Sequence, residues 1–176
     1  TSFKVEIPLD WELPFVAWMV IPYYSFYLYF PWAAWVGAAE KHREHGLVFF
    51  QRLIASAWVA FACFLIFPVE IELRSQALDA EGLFGWMMSA LHEADTPYNA
   101  WPSIHVLLSI LVVLFVRHIG VKDGTWSAPK ALVVWVSCAL LVASTALIKQ
   151  HYVFDGISGT ALAFGLWYGW IRPALS

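Results

Sequence analysis

Uncharged stretches recur along the chain at lengths that suit helices crossing a lipid bilayer. Between Glu12 and Glu40 lie 27 uncharged positions (13–39), and between Arg52 and Glu70 lie 17 (53–69). Three more windows follow: 21 positions over 96–116, 18 over 131–148 and 16 over 156–171. A spanning helix needs about 20 mainly apolar residues, and about 17 suffice. The shorter windows can extend outward because flanking Arg and Lys snorkel to the headgroups. The pattern predicts an all-α integral membrane bundle of about five spans, forming a single domain over residues 1–176. The first span holds Pro22 and Pro31. In a bilayer, neighbouring helices re-satisfy the carbonyls that proline frees, so a kink is predicted rather than a break.

Residues 68–102 form the one long segment read as non-spanning, a length that implies function or internal structure. Within it, Ala77 to His92 suits a short amphipathic helix on the outer surface. Leu78, Leu83, Phe84, Trp86, Met87 and Leu91 would turn to lipid, or the helix would pack on the bundle.

Charge sets the orientation. Lys41, Arg43, Arg52, Arg117, Lys122, Lys130 and Arg172 fall on one side, and Lys4, Arg74 and Lys149 on the other. Positive residues favour the cytoplasm, so the richer side faces inward. The acids agree: Glu40, Glu44 and Asp123 lie inside and the other ten outside. The N-terminus then lies outside, which points to a span upstream of residue 13. Thr1, rather than Met, at the start suits a processed or trimmed chain.

Composition narrows the picture further. With 61% apolar and only 13% charged residues, the chain is too greasy for an ordinary soluble domain. Eleven tryptophans and seven tyrosines suit the lipid–water boundary. A net charge of −3 leaves no basic surface for nucleic acid. Cys63 and Cys138 sit inside apolar runs and read as buried thiols. Nothing in the chain sets an oligomeric state.

The candidate chemistry gathers on the outer side. His151 and Asp155 are four apart, a spacing that puts both on one helix face, where the carboxylate can hold one ring nitrogen and free the other for attack. His105 follows Pro102 and Ser103 at the start of the third span. There unpaired backbone N–H groups favour an anion, and an imidazole can protonate a leaving alkoxide. A histidine at an interface can also be a simple polar anchor. What favours catalysis is that His105, His151 and Asp155 share one level, derived from charge alone. His42, His45 and His118 fall on the opposite side, and His92 lies in the outer loop. Arg74, the lone outer arginine, matches a phosphate group, or alternatively anchors at the interface or pairs with Glu70 or Glu72. Lys149 could add positive charge, although on a helix it points to a different face from His151. Ser103 could donate to a phosphate oxygen or only cap the helix.

These residues resemble the type 2 phosphatidic acid phosphatase (PAP2) superfamily. Pro102-Ser103-Ile104-His105 looks like its Pro-Ser-x-His signature. Ser144, His151 and Asp155 fit the Ser-Arg-x5-His-x3-Asp signature, with Thr145 where the family carries a phosphate-binding Arg. The Lys-x6-Arg-Pro signature is degenerate: Arg74 stands for its Arg, Phe67 takes the Lys position and Ser75 the Pro position. The resemblance covers roughly residues 47–171. It implies His151 as nucleophile, Asp155 as its orienter and His105 as general acid, with Ser144 added to the phosphate-binding set. It also implies a phosphohistidine intermediate, no metal or other cofactor, and a lipid phosphate or pyrophosphate substrate. Gln150-His151-Tyr152-Val153-x-Asp155, followed by Gly156 and Gly159, is similar to the branch of inositol phosphorylceramide synthases. The family core usually has six spans, one more than counted here.

Three functions follow. The first is a membrane lipid phosphatase. The second is a phosphotransferase that passes a phosphoryl headgroup to a lipid alcohol. The third, from a different class, is a non-catalytic lipid-binding or assembly subunit. A transporter fits poorly, because no acidic residue lies mid-span.

Overall fold

A computed structural model describes residues 3–77, 81–95, 97–98 and 100–176. Among these residues the chain is all-α, and its only strand-like feature is an isolated bridge between Phe3 and Val69. The helices are α1 (Pro8–Glu12), α2 (Val20–Tyr24), α3 (Phe26–Ala38), α4 (Arg43–Ile66), α5 (Gly82–Ala94), α6 (Ile104–Lys122), α7 (Ala128–Leu147) and α8 (Val153–Leu166).

Helix α6 is the axis of the bundle. Every residue from Val106 to Val116 is buried, and α3, α4, α7 and α8 pack around it. A helix apolar on all sides belongs in the centre of a bundle. The surrounding helices are apolar outward as well: Trp35, Trp58, Leu65, Leu132 and Val133 are exposed. Such a belt of large apolar side chains marks a surface covered by lipid. Three helical stretches are long and apolar enough to cross a membrane: Glu40–Ile66, Ile104–Lys122 and Ala128–Leu147.

The other two predicted spans take a different form. The 13–39 stretch is divided into a 3-10 turn (Ala17–Met19), α2 and α3. The interruption falls at Ser25, whose hydroxyl donates to the Pro22 carbonyl at 2.6 Å, whereas Pro31 lies within continuous α3. The 156–171 stretch is α8 followed by a π-helical turn, Trp167–Ile171. The uncharged windows also misplaced helix edges. Helix α4 begins nine residues before Arg52, whose guanidinium rests 4.2 Å over the Trp170 ring. That cation–π contact lets a charge sit within a helix the window ended. Helix α6 likewise runs through Arg117 and His118.

Helices α3 and α4 approach closely at Gly37 and Gly46. A Cβ on Gly46 would lie 2.6 Å from the Gly37 carbonyl oxygen. Small residues let helix backbones approach where apolar lipid gives little drive for association. Stacked rings of Phe49 and Phe115, 4.1 Å apart, tie α4 to α6.

Helix α5 corrects the amphipathic prediction in part. It starts at Gly82, and Leu83 and Trp86 are exposed as expected. Leu91, however, is buried with Met88 against Met19, Val20 and Tyr23, and Phe84 and Met87 pack on the same cluster. The helix thus lies on the bundle and keeps only a narrow outer face. Leu78 lies outside the described residues.

Candidate active site

Two backbone devices bring the sequence motifs together. Ser103 is the N-cap of α6, and its hydroxyl accepts from the Val106 N–H at 3.5 Å. The Ser103 N–H in turn donates to the Asp155 carbonyl at 3.2 Å. At this crossing α8 presents Gly159, where a Cβ would stand 2.8 Å from the Ser103 carbonyl oxygen. Only glycine allows α8 to lie this close to the start of α6, and that contact carries His105 toward Asp155.

His151 is not on the helix that its spacing to Asp155 suggested. Helix α8 begins at Val153, and Asp155 occupies its third position. The Asp155 Oδ2 accepts from the Tyr152 N–H at 2.9 Å, satisfying a donor that the helix start leaves orphaned. That capping turn, rather than a shared helical face, brings the same oxygen within 3.5 Å of His151 Nδ1.

His151 Nδ1 also lies 3.1 Å from the Ala100 carbonyl oxygen. A carbonyl can only accept, so Nδ1 carries a proton, and in the neutral ring Nε2 then holds the lone pair. Nε2 is buried and has no hydrogen-bond partner among the described residues. The His105 ring lies beside it, with ring centroids 5.8 Å apart. The Tyr23 hydroxyl, from α2, is 3.1 Å from Nε2 and 3.3 Å from Nδ1 of His105. The rings of Tyr23 and Phe26 flank that imidazole. The three predicted residues therefore meet at one end of the bundle.

Arg74, in a 3-10 turn (Glu72–Ala77), reaches the loop that holds His151. Its guanidinium donates to Gln150 Oε1 at 2.8 Å and to the Asp95 carbonyl at 2.7 Å, with the Asp95 carboxylate at 3.9 Å. Its Nε is buried without a partner among the described residues. Burial pulls the Arg74 pKa down and Asp95 pulls it back, and a guanidinium stays protonated throughout. His92, at the end of α5, is held below its ordinary value by burial first and then by the Arg74 charge.

The other predicted phosphate ligands are engaged elsewhere. Lys149 is fully buried, and its ammonium donates to the carbonyls of Asp10 (2.8 Å) and Leu13 (2.7 Å). Its backbone lies in the left-handed region, with φ of 62°, which turns the chain sharply before His151. The reading of Lys149 as a phosphate ligand is thus replaced by a structural one. Ser144 donates to the Leu141 carbonyl within its own helix at 2.6 Å, which uses its hydroxyl proton internally. Among the described residues no group of three or more His, Cys, Asp or Glu side chains is arranged to hold a metal ion.

Four contributors were not legible as site residues. Tyr23 is one aromatic among many in an aromatic-rich run. The Ala100 carbonyl is backbone. Gln150 was part of a motif without a role. Asp10 is buried, and its two carboxylate oxygens accept from the N–H groups of Ile7 and Val153, each at 2.7 Å. Together with Lys149 and the Val16 N–H, which donates to the Leu147 carbonyl at 3.0 Å, Asp10 straps the N-terminal segment across the 147–153 loop. The only sequence signal was an acid ahead of an apolar span, which is commonplace.

Fold and site thus define a membrane-type helical bundle with a histidine–histidine–aspartate centre at one end. The family model described as PAP2 superfamily matches residues 8–169, so the chain belongs to the PAP2 superfamily. No curated protein and no solved structure matches the chain.

Proposed function

We propose that this protein is a membrane lipid phosphatase that works through a phosphohistidine intermediate on a lipid phosphate or pyrophosphate. Membership of a superfamily of phosphatases and phosphotransferases supports the reaction class. The observation that carries the mechanism is the tautomer of His151. The Ala100 carbonyl accepts from Nδ1–H, the Asp155 carboxylate stands 3.5 Å from the same nitrogen, and Nε2 has no partner among the described residues beside the ring of His105.

In the first step Nε2 of His151 forms a bond to phosphorus as the bond from phosphorus to the lipid oxygen breaks. His105 gives its proton to that departing oxygen. Asp155 stabilises the imidazolium that develops on His151, and being buried it does so in a low-dielectric setting. Arg74 and the free N–H groups at the start of α6 face the charge on the equatorial oxygens. In the second step water attacks phosphorus, His105 takes its proton, and the N–P bond breaks to release inorganic phosphate. The basic residues Lys41, Arg117, Lys122 and Arg172 lie at the other end of the bundle, which supports an outward-facing site (periplasmic, extracellular or lumenal).

The test is phosphate release from a panel of lipid phosphates in detergent with EDTA present, with and without a lipid alcohol. Free phosphate that survives chelation and disappears in His151→Ala supports the proposal. A labelled acceptor without free phosphate reassigns the enzyme as a transferase. Undiminished turnover in His151→Ala overturns the nucleophile.

A further inference from the structure

The end of the bundle away from the histidines carries a second polar cleft. It has a volume of about 560 Å³ and lies between the C-terminal half of α6 and the turns that follow α8. Arg117, His118 and Lys122 line one wall, and Trp167, Tyr168 and Arg172 the other. Trp167 and Tyr168 belong to the π-helical turn, a rare geometry that recurs at functional sites, and Arg172 begins the 3-10 turn that follows it.

The cations in this cleft make no ion pair among the described residues, and Ser176 also lines it. Among the described residues none of Arg117, Lys122 and Arg172 lies within ion-pair distance of a carboxylate. Asp123, the nearest acid along α6, is held by Lys41 at 2.8 Å and His42 at 2.9 Å. Glu44 lines a neighbouring cleft, where Lys122 meets His45 at 2.9 Å rather than the carboxylate. The Arg172 guanidinium leans on the Tyr168 ring at 5.7 Å. His118 Nε2 is buried and has no partner among the described residues. Two guanidiniums and an ammonium around one cleft, with an aromatic wall, have the chemistry of a phosphate receptor at a bilayer surface.

We propose that this cleft binds the headgroup of an anionic phospholipid of the inner leaflet, in a site separate from the histidine centre. The phosphodiester takes hydrogen bonds from Arg117 and Arg172 and charge from Lys122. The exposed apolar surface of the surrounding helices receives the acyl chains. The leaflet chemistry fits, because the cytoplasmic surface is the negatively charged one and basic pockets between spanning helices collect such headgroups. Lateral access is natural for a cleft whose cations are exposed at the helix ends. This inference does not depend on the catalytic proposal.

The test is native mass spectrometry of the full chain in detergent, titrated separately with phosphatidylglycerol, phosphatidylcholine and inorganic phosphate. One phosphatidylglycerol retained per chain, in preference to phosphatidylcholine, is the expected result. The double variant Arg117→Gln/Arg172→Gln should weaken that binding by about tenfold or more. Arg117→Lys/Arg172→Lys should recover part of it, and Arg74→Gln, at the other end, should leave it intact. Circular dichroism confirms that each variant is folded. Equal retention of phosphatidylcholine overturns the proposal, as does undiminished phosphatidylglycerol binding in the glutamine pair. Loss of binding in Arg74→Gln instead would move the lipid to the histidine end. Saturable binding of inorganic phosphate without retained lipid would make the cleft a free-anion site and overturn the lipid assignment.

Discussion

Replacing Gly159 by alanine tests the contact on which the histidine centre rests. The added Cβ would stand 2.8 Å from the Ser103 carbonyl oxygen, 3.5 Å from the Ser103 nitrogen and 3.4 Å from the Val106 Cβ. The first of these is about half an ångström short of ordinary contact, and the obstacle is backbone, which cannot rotate aside. Overpacking of this kind costs about 1–3 kcal/mol, and the better helix propensity of alanine returns up to about 1 kcal/mol. The net loss of stability should therefore be about 0–3 kcal/mol. The loss of rate should be larger. A shift of α6 away from α8 stretches the 3.2 Å bond from Ser103 N–H to Asp155 and carries His105 away from His151. Misplacement by about 1 Å can cost about 100-fold, so half of that predicts a fall of about tenfold in kcat.

Gly156 is the internal control. It sits one turn earlier on α8, and a Cβ there meets no heavy atom within 4 Å. Gly156→Ala should stay within about twofold of the parent in rate and be no less stable. Phosphate release and thermal melts in the same detergent measure both variants. Parent-like turnover and melting in Gly159→Ala, or equal damage in both variants, would refute the close-approach argument.

Further outcomes are expected elsewhere. Asp10→Ala strands the N–H groups of Ile7 and Val153, so chemical or thermal unfolding should show a loss of about 2–4 kcal/mol. Its kcat should fall more than its KM rises, and Asp10→Asn, which keeps an acceptor, should do less harm. Arg74→Lys removes the forked contact to Gln150 and the Asp95 carbonyl. Steady-state kinetics should show KM raised about tenfold with the larger part of kcat retained. Asp123 is held below its ordinary value of 3.8 by hydrogen bonds from Lys41 and then His42. Its stabilising contribution is complete above the unfolded value and is lost as pH falls through the lower folded value. Melting temperature measured against pH should therefore drop less steeply below about pH 4 in Asp123→Asn than in the parent.

The sequence was most informative where chemistry depends on residue identity and least where it depends on backbone. His105, His151 and Asp155 could be named from their types, their motifs and the charge asymmetry of the chain. The reason they meet could not. The expected helical face for His151 and Asp155 gave the right neighbours by the wrong route, since a capping turn produces the same proximity. Lys149 shows the reverse error. Its position two residues before His151 suggested a phosphate ligand, but a left-handed turn buries the ammonium under carbonyls from the N-terminal strap. Counting uncharged windows located the apolar elements yet cut α4 and α6 short, because a charge paired to an aromatic ring or lying near a helix end does not stop a helix.

The sequence by itself determined the class of the bundle, the polarity of its two ends and the ionisable residues available for catalysis. These follow from apolar run length, charge distribution and side-chain chemistry, all of which are local properties. Only the tertiary structure decided the tautomer of His151, the seat of Arg74 against Gln150, the Tyr23 hydroxyl beside His105, and the strap by Asp10. Each of these joins atoms far apart in the chain, several of them backbone carbonyls and N–H groups that every residue shares. No residue type announces them, so they exist only once the helices have packed.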